Sequence, residues 1–558
     1  MAEAELVLGP VLRYVGETEA VVWVETDAAC VAQVRSVRGP ELAGNEKTFC
    51  VEGHHYALVV IEDLEPGQTY EYEVLLDGER RWPPLASEFP PSTITTLAGS
   101  GPVRIAFGSC RVALPHHPPY TLSKDDHEHG REFDALYTLA HELWGTPRSS
   151  WPDLLLLLGD QVYVDEGSPQ AREFIRARRD TSKPPGEEVA DYEEYTRLYW
   201  ESWGDPVIRW LLSTISTSMV IDDHDVHDDW NISRAWVEEI RHEPWWERRE
   251  AAGLASYWVY QFIGNLSPSS LAENGLYQEV RELDDAAERL REFGDRERQL
   301  SDGERWSYCR DLNGSRLIVI DARSGRVLEE GRRAILDEAE WEWLERHIEG
   351  EWDHLLIGSS DPFLLAPGLH FIEAWGEALV EGAWGSAAAR QGEKLRRALD
   401  FDHWPAFRRS FDRMVRLLRD HGSGAHGRPP ASIGLLSGDV HHAYLAEVGF
   451  PRSAKVSSAV WQGVCSPFRN ALNRHERATI RFGNSGAGRV IGRALARAAG
   501  VRDPEIRWRL AEGPCYDNQI ATLTLDGRRA SLKLERTTGD PTLDKRQLVT
   551  SFERRIGA

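Results

Sequence analysis

Cysteine is scarce in this chain. Six residues, at 30, 50, 110, 309, 465 and 515, are scattered over 558 positions with no CxxC pair. A disulfide framework belongs to short secreted chains, so none is expected here. Positive charge is also short: 65 Lys and Arg stand against 90 Asp and Glu, a net charge of −25. That excludes a broad nucleic-acid-binding face, which needs clustered basic residues. It does not exclude a phosphate ester held by metal ions, since ions carry their own local charge. No apolar run approaches the ~20 residues of a spanning helix. The opening MAEAELVLGP has neither a basic n-region nor an apolar h-region, so a soluble cytoplasmic protein is expected. Serine-nucleophile, Walker and dinucleotide motifs are missing; the Gly-Ser-Ser at 358–360 lacks the glycine required after its serine. Neither an internal repeat nor a low-complexity tract is visible.

What is present is one pattern, repeated. In WPDLLLLLGDQVYVDE, residues 151–166, five leucines run from Leu154 to Leu158. An apolar run without alternation suits a strand buried on both faces. It stops at Gly159, and Asp160, Tyr163 and Asp165 follow, each able to bind a hard cation. RIAFGSCR places Cys110 and Arg111 after an apolar run; SMVIDDHDVHDDW places Asp222, Asp223, His224, Asp225, His227, Asp228 and Asp229; ASIGLLSGDVHH places Asp439, His441 and His442. Open α/β sheets bind ligands outside the carboxyl ends of their strands. Four such runs predict a metal site at one edge of one sheet.

The chain in order supports an α/β fold. Its length suggests two to four domains. Residues 1–97 read as an all-β sandwich of short Val-rich and aromatic strands. LEPGQTYEYEV, with Tyr70 and Tyr72, resembles the tyrosine-corner strand of fibronectin type III and immunoglobulin-like domains. PSTITTLAGSG reads as a linker, and a catalytic domain is expected over 102–547. His116, His117, His127 and His129 fall in a polar loop and are expected to be solvated. Phe133, Leu136, Tyr137, Ala140, Leu143 and Trp144 recur at helical spacing. Residues 170–213, 233–300 and 333–349 read as helical, with the Tyr192, Tyr195, Leu198, Tyr199 stripe as core. SRLIVIDAR and HLLIGSSDPF add two strand-then-polar units, so the sheet grows by strand–helix alternation. Residues 367–388, with Trp375 and Trp384, read as a Gly-rich loop at a pocket rim. Strands return over 505–547 and close the sheet system at its edge.

Carboxylates suit Ca2+, Mg2+ and Mn2+, imidazole suits Zn2+ and iron, and thiolate prefers softer metals. A phenolate is a natural partner for ferric iron. With no serine nucleophile available, a metal-activated hydroxide is the best nucleophile, serving an in-line displacement at phosphorus. A two-metal hydrolase of amides or carboxylic esters, and a non-catalytic metal-stabilised binding protein, stay open as alternatives.

The ordered motifs GSCR, GDQVYVDE, DDHDVHDDWN, SSDPF and GDVHH, over roughly residues 100–545, resemble the alkaline phosphatase D (PhoD-like) group of the metallophosphoesterases. The resemblance implies a layered β-sheet core flanked by helices, and hydrolysis of phosphate monoesters or diesters. It implies Asp160 as a bridging carboxylate, and Tyr163 and Cys110 as ligands of Fe3+. Asp223 stands for the asparagine of a Gly-Asn-His motif, and His224 for the histidine that contacts phosphate or protonates the leaving group. Asp439 and His441 stand for a Gly-His-x-His pair. No middle-region histidine is visible, which favours Ca2+ in the second site, with Mn2+, Mg2+ or Zn2+ admitted. Arg111 is expected to clamp phosphate oxygens. The expected substrate is a phosphate ester, lipid-like or polymeric forms included. The segment 468–502 is locally basic, with Glu476 its only acid and Arg489, Arg493 and Arg497 on one helical face. A solvated helix and the steering of an anionic or lipid-like substrate are both open readings of it.

Overall fold

Two sheets packed face to face form the centre of the molecule, with helices on both outer faces. The computed structural model describes residues 3–38, 41–299, 305–541 and 545–557. One sheet has the strand order Ser216–Val220, Leu154–Leu158, Val103–Gly108, Gln519–Asp526, Arg529–Asp540, Lys545–Ile556. Its first three strands are parallel and the last three attach antiparallel. The other sheet has the order Tyr308–Leu312, Ser315–Val319, His354–Gly358, Ser432–Ser437, Ala459–Val464, Ala443–Gly449, Arg507–Cys515. Four of its strands, from Ser315–Val319 to Ala459–Val464, are parallel. The expectation of a single sheet is therefore corrected: the strand before Asp439 belongs to a different sheet from those before Cys110, Asp160 and Asp223.

The leucine run explains itself in this frame. Leu154, Leu156 and Leu158 pack between the sheets with Phe107, Leu356, Leu436 and Trp461. Leu155 and Leu157 face outward, under the helices, with Ala106, Leu211 and Met219. Both faces are dry, so no polar alternation survives. Each buried leucine contributes roughly 1.5–3 kcal/mol, and Leu156→Ala would cost about 2–5 kcal/mol.

The N-terminal strands, Leu6–Val15 through Thr93–Thr95, form two sheets around their own core. The Tyr70 hydroxyl accepts the Glu65 backbone N–H at 2.8 Å, the tyrosine-corner contact its motif predicted. One of these sheets also turns Val11, Val21, Trp23, Tyr56 and Leu58 into the core it shares with the helices. The Trp23 indole donates to the Val259 carbonyl at 3.1 Å and the Tyr72 hydroxyl to the Ser213 carbonyl at 2.6 Å.

Several local expectations change. Thr93–Thr95, inside the expected linker, pairs as a strand with Thr69–Leu76. The edge strand Lys545–Ile556 runs past 547. Residues 367–388 are not a loop: Pro367–Val380 is a helix started by its proline, whose missing N–H costs nothing at that position. In the third helical stretch the helix begins only at Glu338, capped by Asp337. His116 is not solvated but stacked on Tyr137, with ring centroids 3.7 Å apart. The Tyr192, Tyr195, Leu198, Tyr199 stripe is core, as expected. Among the described residues no helix is long and apolar enough to cross a membrane.

Candidate metal centre

The parallel strands of both sheets deliver their carboxyl ends to one place, and the backbone turns sharply there. Gly159 has φ +110°, and a Cβ on it would lie 2.6 Å from Asp222 Cβ. Cys110, Asp160, Asp439 and His441 have φ of 57°, 49°, 64° and 50°. Left-handed backbone costs a non-glycine residue on the order of 1–3 kcal/mol and persists where the surroundings over-determine it. All four of these residues carry metal-ligand side chains. Asp225 ties two of the turns together, accepting the Gln161 and Val162 N–H at 3.1 and 3.2 Å on one oxygen and the Asp222 N–H at 3.1 Å on the other.

The first part of the centre is thiol, carboxyl, phenol and imidazole. Ligand atoms of Cys110, Asp160 and His441 lie within 4.8 Å of one another, and so do those of Asp160, Asp223 and His224. Asp160 belongs to both groups. The Tyr163 hydroxyl donates to Asp160 Oδ2 at 3.2 Å and is approached by the Asn470 amide at 3.4 Å. The Ser466 hydroxyl reaches Cys110 Sγ at 3.1 Å. Asp160 Oδ1 is buried with no hydrogen-bond partner among the described residues. Burial pushes the Cys110 thiol and Tyr163 phenol up, and the charge of Asp160 pushes them further. Burial also raises Asp160 strongly; the charge of His224 opposes this without reversing it. Burial lowers His441 to about 3, leaving its imidazole neutral and available as a ligand. A dry set of three acids, one with an orphaned oxygen, beside a neutral imidazole is the environment that a cation would complete.

His224 lines this part with its Nδ1 3.0 Å from Asp165 Oδ1 and its ring 4.5 Å from that of Tyr163. Its Nε2 lies 3.8 Å from Asp228 Oδ1. Burial alone would lower its pKa, but the charge and hydrogen bond of Asp165 hold it well above the ordinary value.

The second part carries its own cation. The Arg323 guanidinium, 1% exposed, lies 2.5 Å from Asp222, 3.0 Å from Asp361, 3.4 Å from Asp439 and 3.7 Å from Asp223, and it also contacts Asp402. Arg326 adds contacts to Asp361 at 2.6 Å and Asp402 at 3.1 Å. Burial would raise Asp402, yet Arg323 and Arg326 bring it below its ordinary value. His403 bridges Asp439, at 2.9 Å from Nε2, and Glu373, at 3.3 Å from Nδ1. Those two carboxylates raise its pKa against the effect of burial.

Of the site residues expected from the sequence, Cys110, Asp160, Tyr163, Asp223, His224, Asp439 and His441 converge here. Asp439 groups with Asp222 and Asp361 rather than with the Cys110 set. Arg111 is a correction. It is 4% exposed, and its guanidinium donates to Asp134 Oδ2 at 2.7 Å and to the Ser202 carbonyl at 2.5 Å, leaving no fork for a phosphate. The strand ends at Gly108 and the chain turns through the left-handed Cys110, φ 57°, which places the thiol at the centre and sends Arg111 away toward Asp134 and Ser202. Arg323, Asp361, Asp402 and His403 were not in the expected set. Arg323 and Asp361 follow strands, the signal that found Cys110. Asp402 and His403 sit between two helices and carry no such signal.

The fold and site define a layered protein of two packed sheets with metal-ligand residues gathered at the strand ends. Residues 130–281 match the PhoD-like phosphatase family, and residues 3–94 match a domain of unknown function, DUF7800. The solved structure of PhoD aligns with a TM-score of 0.60 at 13% identity, over 99% of this chain and 90% of that one. No curated protein matches. The chain is PhoD-like in its matched segment and in its fold, as its motifs implied. The matched segment contains Asp160, Tyr163, Asp223 and His224, while Cys110, Asp439 and His441 lie outside it.

Proposed function

We propose that this protein hydrolyses phosphate esters at a metal centre on the 102–547 domain, with the 1–97 sandwich packed against it. The observation that carries the reading is the convergence of Cys110, Asp160, Tyr163 and His441 around an unpartnered buried carboxylate oxygen. Cys110, Asp160, Tyr163 and His441 would hold Fe3+, and Asp160, Asp223 and Asp439 one or more divalent ions, Ca2+ favoured. When bound, such ions supply Lewis acidity, acidifying water and offsetting charge on phosphoryl oxygens.

The remaining work falls to the chain. Asp165 fixes the imidazole of His224 through Nδ1, so the proton available for transfer sits on Nε2. A histidine held protonated in this way is suited to protonate a departing alkoxide, and only then to act as a base. Arg323 holds Asp222, Asp361 and Asp402 in place, and His403 holds one oxygen of Asp439. Turnover of aryl phosphate monoesters and diesters, measured with the metal content of the same preparation, tests the proposal. Activity on one or both esters in proportion to bound metal is expected; a metal-loaded protein that cleaves neither would overturn it. If iron is bound by Tyr163, a visible charge-transfer band is expected, and Tyr163→Phe removes it.

A further inference from the structure

Ten large apolar side chains are exposed among the described residues, and three of them, Phe482, Val490 and Ile491, lie on one helix pair, Arg474–Asn484 and Gly486–Ala498. A fourth, Trp384, rests against the end of that pair, its indole N–H donating to the Ala498 carbonyl at 3.2 Å.

The second helix has three distinct faces. Gly488, Gly492 and Ala496 are buried at a spacing of four. They pack on the helix Pro367–Val380 so closely that a Cβ on Gly492 would lie 2.6 Å from the Gly368 carbonyl oxygen. Arg489, Arg493 and Arg497 form a second row at the same spacing. The third face, Ala487, Val490, Ile491, Ala494 and Ala498, points to solvent, with Val490 70% and Ile491 47% exposed. A surface helix of a globular protein normally turns its polar side outward. This one turns an apolar strip outward with arginines beside it, the arrangement of a helix that lies in a lipid–water interface.

Charge points the same way. Between Arg474 and Ala498 there are six arginines and one acid, Glu476, in a chain of net charge −25. Arg477 pairs with Glu132 at 3.4 Å, and Arg493 and Arg497 pair with Asp503 at 2.5 and 2.6 Å, so Arg474, Arg481 and Arg489 carry the charge offered to an anionic partner. An open cleft of about 670 Å³ beside the first helix adds Arg536 to Arg477 and Arg481. We infer that the helix pair 474–498 is a docking surface for an anionic lipid bilayer, with Phe482, Val490 and Ile491 entering the interface and Arg474, Arg481 and Arg489 meeting the headgroups. The pair starts just after Asn470, whose amide reaches the Tyr163 hydroxyl at 3.4 Å, so docking would attach the wall of the metal centre to the bilayer. The inference concerns binding alone and stands apart from the proposed reaction.

The test is sedimentation of the full-length protein with vesicles of phosphatidylcholine mixed with phosphatidylglycerol, against vesicles of phosphatidylcholine alone. Binding to the mixed vesicles, weakened by salt, is expected. Val490→Ser with Ile491→Ser should lower partitioning about tenfold or more, because two apolar side chains no longer enter the interface. Arg474→Ser with Arg489→Ser should lower it about fivefold per arginine, the equivalent of ~1 kcal/mol each at an anionic surface. An unchanged unfolding temperature in both variants shows that the fold is kept. Equal binding to both vesicle types, or to neither, overturns the inference. So does a dimer in light scattering that the Val490 and Ile491 substitutions split, because the apolar strip would then belong to a second copy.

Discussion

The two parts of the metal centre solve the same electrostatic problem in opposite ways. Around Cys110, Asp160 and Tyr163 three acids are buried with no arginine in contact among the described residues, and burial holds each of them toward its protonated form. Around Arg323 five carboxylates lie within 3.7 Å of one buried guanidinium. In the proposed reading the first part takes its cation from outside the chain, which displaces the protons of these acids, and it can therefore be loaded and emptied. The second has its cation built in and is set when the chain folds. The difference teaches that an acidic cluster can divide its work: Arg323 fixes Asp222, Asp361 and Asp402 as scaffold, while Asp223 and Asp439 stand at the boundary with the part proposed to bind metal.

The largest effect should come from Asp160→Asn, which removes the one carboxylate shared by both ligand groups. Loss of bound metal and nearly all turnover is expected, with the stability of the metal-free protein unchanged or raised, since a buried acid is removed. Full activity with full metal content would break the contrast at its strongest point. His224→Ala should keep its metals yet lose about 10²–10⁴ in kcat on an alkyl phosphate, and much less on a nitrophenyl ester, whose leaving group needs little protonation. Equal losses on both esters with metal retained would leave His224 a phosphate contact instead.

Arg323→Leu probes the other part. Removing the guanidinium leaves Asp222 buried without its counter-charge, while Asp361 and Asp402 keep only Arg326, a loss of about 3–5 kcal/mol. Chemical denaturation of the metal-free protein should show it. A metal-free protein as stable as the wild type would mean that Arg323 is not the scaffold cation. Arg111→Met belongs with it in kind: a stability loss is expected, because Asp134 loses its partner, with little change in KM.

The smallest effect lies outside the centre. His54 joins Glu25 of the sandwich to Glu193 of the helix Tyr192–Trp203, at 2.9 Å each. Burial lowers its pKa, but the two carboxylates more than offset this and raise it from 6.5 to about 9. The folded value exceeds the unfolded one, so the stabilisation is complete below about pH 6.5 and is lost as pH rises toward 9, by at most about 3 kcal/mol. His54→Gln should flatten the stability profile across that window.

Much of the first part was legible because its signal is local. An apolar strand without alternation, followed at once by ligand-type residues, marks a strand end in a doubly covered sheet. Cys110, Asp160 and His441 were found in that way. The same signal stood before Arg323 and Asp361, in SRLIVIDAR and HLLIGSSDPF, but those units served only to extend the sheet, because an arginine and a lone aspartate make no ligand cluster. Asp402 and His403 had no local signal at all. Arg111 was misplaced for a related reason: adjacency to Cys110 says nothing about which face a side chain takes.

By itself the sequence determined most strands, the layered α/β class, the tyrosine corner and most of the residues that gather at the strand ends, because each of these depends on the periodicity and chemistry of a few consecutive residues. Only the tertiary structure decided that the candidate ligands come from two sheets, that Arg323 stands among the carboxylates and that Arg111 does not face the centre. Those outcomes depend on charges and side chains far apart in the chain: Arg323 meets Asp222 across 101 positions, and no local pattern records such a pairing. The apolar strip on the helix Gly486–Ala498 falls between the two. Its residues are plain in the sequence, but which side of the helix is buried was set by the helix Pro367–Val380 packing against its glycines.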